Sequence, residues 1–196
     1  MAVTTNFGVP TSDESGATLM PKLQYRFRVT FTGLGVDGGS TSFVTRNVVS
    51  VTRPAVDHDD VTIDTYNSKI RLAGKHMWQD VTLVLRDDVQ SLVVSKLNQQ
   101  MQEQLDHETQ SSPTVGAASY KFGMKIETLD GGNDGSESVL DTWTMAGCFI
   151  PSLQFGDLNY ATSDVVQVTA TIRYDNASYE GTLVGDSAVA TTKDQN

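Results

Sequence analysis

Cysteine and positive charge are what this sequence is short of. One cysteine in 196 residues, Cys148, excludes an intrachain disulfide framework and fits synthesis in a reducing compartment. Lys and Arg number 14 against 24 Asp and Glu, giving a formal net charge of -10. Gripping nucleic acid by phosphate neutralisation needs clustered bases, so a scaffold of that kind is excluded. No apolar run approaches the roughly 20 residues that cross a bilayer, and the N-terminus lacks a basic region followed by an apolar stretch. No membrane partner is therefore expected.

What is present is one long stretch of β-type alternation, enough chain for one domain with a substantial core. Residues 1–20 and 177–196 are small and polar without periodicity and read as a flexible N-terminal arm and C-terminal tail. Between them, residues 21–176 form the expected β domain. Leu23, Tyr25, Phe27, Val29 and Phe31 alternate with polar residues as a half-buried strand. Phe43 to Val51 reads as the next strand, ended by Arg53-Pro54. Val61 to Thr65 and Lys69 to Leu72 pair as a hairpin around Tyr66-Asn67-Ser68, and Val81, Leu83 and Leu85 alternate in the strand that follows.

The period then changes. Val89, Leu92, Val93, Leu97, Met101 and Leu105 recur every three or four residues and predict one amphipathic helix over 88–107, with Asp87 and Asp88 at its start. Its opposite face carries Gln99, Gln100, Gln102 and Gln104. Strands resume around Tyr120 to Glu127, Val139 to Ile150 (ending at Pro151) and Val166 to Tyr174. About seven or eight antiparallel strands with one inserted helix predict a mainly β sandwich or barrel flanked by that helix.

Few residues suggest chemistry. Gly33-Leu34-Gly35-Val36-Asp37-Gly38 has the letters of a dinucleotide fingerprint, but the mechanism needs a helix N-terminus next, and a strand is expected there. Asp57-His58-Asp59-Asp60 reads as a solvated acidic turn, since neighbours in an extended segment point in opposite directions. Asp130 to Asp134 lacks the glutamate that closes an EF-hand loop. His58, His76 and His107 lie in unlike contexts, and no nucleophile elbow accompanies them. Cys148 sits in a strand pattern, where a small buried thiol is the default. No catalytic residue, cofactor site or metal site is assigned, and the chain is not expected to be an enzyme.

Three blocks carry a family likeness, with the Pro21 to Phe31 strand before them. Tyr66-Asn67-Ser68-Lys69-Ile70-Arg71-Leu72-Ala73-Gly74 precedes Trp78-Gln79-Asp80-Val81-Thr82-Leu83-Val84-Leu85 and the helix. Trp143-Thr144-Met145-Ala146-Gly147-Cys148-Phe149-Ile150-Pro151 comes next, then Leu158-Asn159-Tyr160 and a closing strand ending in Tyr174-Asp175. In this order and spacing, residues 21–176 resemble the tail tube proteins of contractile-tailed bacteriophages, and more distantly the inner-tube protein of type VI secretion.

The resemblance implies hexameric rings stacked into a tube, with strands from all copies joined in one inner β-barrel through which genomic DNA passes. It implies tail sheath and baseplate proteins as partners, and a place in the virion after assembly in the host cytoplasm. It also implies that the hairpin Tyr66, Asn67, Ser68, Lys69, Ile70, Arg71 and Leu72 contacts other subunits. A lumen sharing the acidic sign of the chain would repel phosphate and leave DNA mobile. Two other classes stay open: the inner tube of an injection or secretion machine, distinguished by gene neighbourhood, and a monomeric β-sandwich binding module, distinguished by an exposed aromatic platform.

Overall fold

A computed structural model describes residues 22–35, 41–111, 120–131 and 139–181. Along the chain run β1 (Phe27–Thr32), α1 (Ser42–Arg46), β2 (Val48–Val51), β3 (Val56–Thr65), β4 (Ser68–Trp78) and β5 (Val81–Arg86). There follow α2 (Leu92–Gln104), β6 (Phe122–Leu129), β7 (Val139–Gln154), β8 (Gln167–Arg173) and β9 (Asn176–Gly181). Seven strands form one antiparallel sheet in the order β1-β6-β7-β8-β5-β2, with β9 also on β7, while β3 and β4 pair only with each other. The sheet does not close into a barrel among the described residues.

The fold turns on β7. Its first half pairs with β6 on one side and β9 on the other, and its second half pairs with β8. Strands β8 and β9 thus run in succession along the same side of β7, and the pair bends together at Gly147 and Asp175. Gly147 takes φ 70, and a Cβ there would lie 2.2 Å from the Asp175 carboxylate, so only glycine fits this corner. Lys121 holds that carboxylate with a 2.6 Å hydrogen bond. Two layers result: β1-β6-β7-β9 and β2-β5-β8 with the end of β7. Alternation along each strand sends Val29, Ile126 and Met145 inward from the first, and Val81, Leu83, Leu85 and Ile172 inward from the second. Cys148 is buried between them, and burial pushes its thiol up to about 12, which leaves it inert.

Several boundaries differ from the sequence reading. The strand expected from Phe43 begins with a helical turn, α1, closed when Asn47 Nδ2 donates to the Phe43 carbonyl at 3.0 Å. The helix expected over 88–107 is shorter. Ser91 stands in the left-handed region, Asp88 Oδ1 accepts the Leu92 N–H at 2.9 Å, and Leu105 is already extended. Val89 and Leu105, counted on the buried face by period alone, are exposed.

Strand β7 passes through Pro151 instead of ending there, because the pairing with β8 shifts register between Phe149 and Ser152 and demands no ladder donor from proline. Tyr25 lies outside β1 and is exposed. Residues 177–181, expected in the tail, continue as β9; residues 1–20, 182–196 and the loop 132–138 lie outside the described residues.

The glutamine face was also misassigned. Gln100 is wholly buried: its Oε1 accepts the Gly35 N–H at 2.7 Å and its Nε2 donates to the Tyr120 carbonyl at 2.6 Å. One turn on, Gln104 both accepts from the Ile150 N–H (3.0 Å) and donates to the Ile150 carbonyl (3.1 Å). A side-chain amide thereby takes the place of a neighbouring strand at the edge of β7.

Candidate subunit interface

The hairpin β3–β4 is longer than the sequence suggested, running from Val56 to Trp78 around a two-residue turn at Tyr66-Asn67. Nearly every residue in it is exposed. Cross-strand register sorts its side chains cleanly. Val61 faces Leu72 and Ile63 faces Ile70, so four aliphatic side chains share one face, each 47–51% exposed. On the other face Thr62 lies opposite Arg71 and Asp64 opposite Lys69, with ion pairs Lys69–Asp64 at 3.2 Å and Arg71–Asp60 at 3.5 Å. Tyr66 is fully exposed at the tip.

The hairpin is anchored at its root. Trp78 packs on Tyr174 of the sandwich with ring centroids 5.7 Å apart, and His76 packs on Trp78 at 6.1 Å. Gln79 donates to Asp57 at 2.6 Å and, through its backbone N–H, to the Ala55 carbonyl at 2.9 Å. The result is a two-stranded arm, fixed at one end and, among the described residues, uncovered along its length.

All seven residues expected at a subunit contact, Tyr66 through Leu72, lie in the outer part of this arm. What the sequence reading missed is the inner part, 56–60 and 73–78. Asp57-His58-Asp59-Asp60 is strand, not turn, and its pairing with β4 shifts register between His58 and Asp60. Among the described residues no three His, Cys, Asp or Glu side chains converge as a metal group. At the glycine-rich turn a short helix does follow, contrary to expectation, but the Gly35 N–H already bonds Gln100. A Cβ at Gly35 would meet the Lys96 side chain at 2.5 Å, so glycine is needed where the turn approaches α2.

The sheet supplies a second uncovered element. Strands β1 and β9 are the outer strands of the first layer, each paired on one side only among the described residues. The outward face of that layer carries Arg28, Thr30, Lys125, Glu127, Thr142, Thr144, Ser178 and Glu180. Burial pushes the Glu127 carboxyl up, but hydrogen bonds from Arg28 (2.7 Å) and Lys125 (3.2 Å) outweigh it and hold the group below its ordinary value.

No family model and no curated protein matches this sequence. Solved structures do match the fold. A chain in the cryo-EM structure of the anti-feeding prophage tube-terminating cap aligns over 93% of this chain and 100% of its own, with TM-score 0.62 at 17% identity. A chain in the extended sheath–tube complex of an extracellular contractile injection system aligns over 83% of this chain and 93% of its own, with TM-score 0.60 at 16% identity. The SPP1 tail tube aligns over 83% and 81%, with TM-score 0.52 at 8% identity. The chain thus has the fold found in contractile injection systems and in a phage tail tube. That agrees with the resemblance carried by its motifs.

Proposed function

We propose that this chain is a structural tube subunit, which assembles with copies of itself into stacked hexameric rings forming a bacteriophage tail tube. The observation that carries this is the arm: a fixed hairpin whose aliphatic face is left about half exposed by the described residues. Fully burying an aliphatic side chain is worth about 1.5–3 kcal/mol, so covering the exposed half of four gains about 3–6 kcal/mol before association costs.

The edges support the same assembly. With β1 antiparallel to β6, β6 to β7 and β7 to β9, the layer has an even strand count. Strand β9 of one copy laid beside β1 of the next is therefore antiparallel, and ring closure leaves no free edge in that layer. The outward face of this layer then lines the lumen. Among the described residues of that face, Arg28 and Lys125 offset Glu127 and Glu180. These offer no basic cluster to hold phosphate, which suits passage of genomic DNA. Tail sheath and baseplate proteins are the external partners, and no catalytic step is involved.

A second reading has a specific observation in its favour. The fold matches include chains of contractile injection systems, so the same tube serving such a machine, without a genome to carry, is the alternative.

Negative-stain electron microscopy of the purified protein across a concentration series tests the proposal. Hollow rods or stacking rings are expected. In the double variant I70D/L72D these are lost while the circular dichroism spectrum and melting temperature stay those of the parent. Rods formed by the variant would refute the arm's role.

A further inference from the structure

One sequence block, Leu158-Asn159-Tyr160, has no part in the contacts described so far, although Leu158 is 84% exposed and Tyr160 fully so. The block lies in the excursion from β7 to β8, which stands off the end of the second layer and encloses an open groove of about 860 Å³. Val49, Leu158, Tyr160, Val165 and Val166 give the groove its apolar lining. Arg86, Asp157 and Asp164 stand around it, so it carries charges of both signs.

We infer that this groove receives the arm of a second copy of the chain, an inference that rests on the tube reading above. Shape narrows the choice of receptor. A hairpin about 35 Å long and 10 Å wide presents about 350 Å² on one face, less than half of the roughly 800 Å² that each partner buries in a standard interface. A groove adds area from the tip and edges of the hairpin to that of its aliphatic face, which a flat sheet surface does not.

Chemistry points the same way. The four aliphatic side chains of the arm meet an apolar lining. The arm's charged edge, where exposed Lys69 and Arg71 pair with Asp64 and Asp60, matches in mixed sign the Arg86, Asp157 and Asp164 that stand around the groove. Stoichiometry matches too, because each copy brings both the arm and this groove, at different places on its surface. A contact between unlike patches of identical chains is heterologous, so it propagates into rings or filaments instead of stopping at a dimer.

Site-directed cross-linking in the full chain decides the matter. I70C and L158C are made separately in a C148A background, mixed in equal amounts under assembly conditions, and treated with a short bis-maleimide. Both positions are exposed, and unchanged circular dichroism melts verify folding. Cross-linked dimer, with the 70–158 linkage identified by mass spectrometry and absent from either variant alone, is the expected result.

Rods in the microscope without that linkage would overturn the groove assignment while leaving the tube reading intact. Neither rods nor linkage at any concentration would overturn both. A second variant, Y160D, reports without cysteines: the parent's melting temperature together with at least a tenfold rise in the concentration needed for rods supports the inference. Unchanged assembly sinks it.

Discussion

Strand β5 and the arm are written in the same pattern and meet opposite fates. Val81, Leu83 and Leu85 alternate with polar residues and are 0% exposed; Val61, Ile63, Ile70 and Leu72 alternate as regularly and remain about half exposed. Both are antiparallel, and both put their aliphatic side chains on one face. The difference is the covering layer, which β5 finds across the sandwich and the arm does not find among the described residues. Alternation reports that a strand has an apolar face, and says nothing of which molecule covers it.

The sharpest way to probe that contrast is to damage each apolar face in turn. Leu83→Ala empties space in the closed core and should cost about 2–5 kcal/mol, read as a lowered urea midpoint. I70D/L72D, a harsher chemical change, should move the midpoint by less than about 0.5 kcal/mol while abolishing rods. Comparable stability losses at the two sites would mean that the isolated chain already covers its arm, and the contrast would be void.

The same contrast explains what was legible from sequence. Period-2 runs located the β strands, and the 3.6 period located α2, because burial on one face leaves that imprint. The arm's outer half was legible through Tyr66-Asn67 and the flanking aliphatics. Its inner half was not, since Asp57 to Asp60 and Gly74 to His76 carry no apolar alternation and are held as strand by backbone pairing with each other. Strand β9 was missed for a similar reason: Asn176-Ala177-Ser178 looks like a tail, and pairing with β7 gives it order. The groove depends on the β7–β8 loop meeting Val49 of β2 and Arg86 at the end of β5, a long-range arrangement that local pattern does not encode.

Gln100 supplies an intermediate effect, because it breaks the rule from within the core. Polarity placed it on the wet face of α2, yet it is buried and bridges the Gly35 N–H and the Tyr120 carbonyl. Gln100→Leu preserves bulk but orphans both backbone groups, and should cost about 1–3 kcal/mol by urea titration. Gln99→Leu, on the same helix, serves as control and should fall within about 0.5 kcal/mol of the parent. If the two variants behave alike, the bridge contributes nothing.

The smallest effect concerns acid, and it belongs to the sandwich. Asp141 is pushed up by burial but held low overall by the Lys22 ammonium and Thr128; Glu127 is likewise held low, by Arg28 and Lys125. Folded pKa values below the unfolded ones of about 3.9 and 4.3 mean that the unfolded chain binds more protons in the acid range. These groups therefore contribute stability that is present above about pH 4 and lost as pH falls through their folded values. The urea midpoint should be level from about pH 7 to 5 and decline below 4. Glu127→Gln should shallow that decline by no more than about 1 kcal/mol, since its ion-pair partners are partly solvated. A decline of unchanged steepness in E127Q would place the acid sensitivity elsewhere, and the balanced charge cluster on the proposed lumen face would have no thermodynamic role.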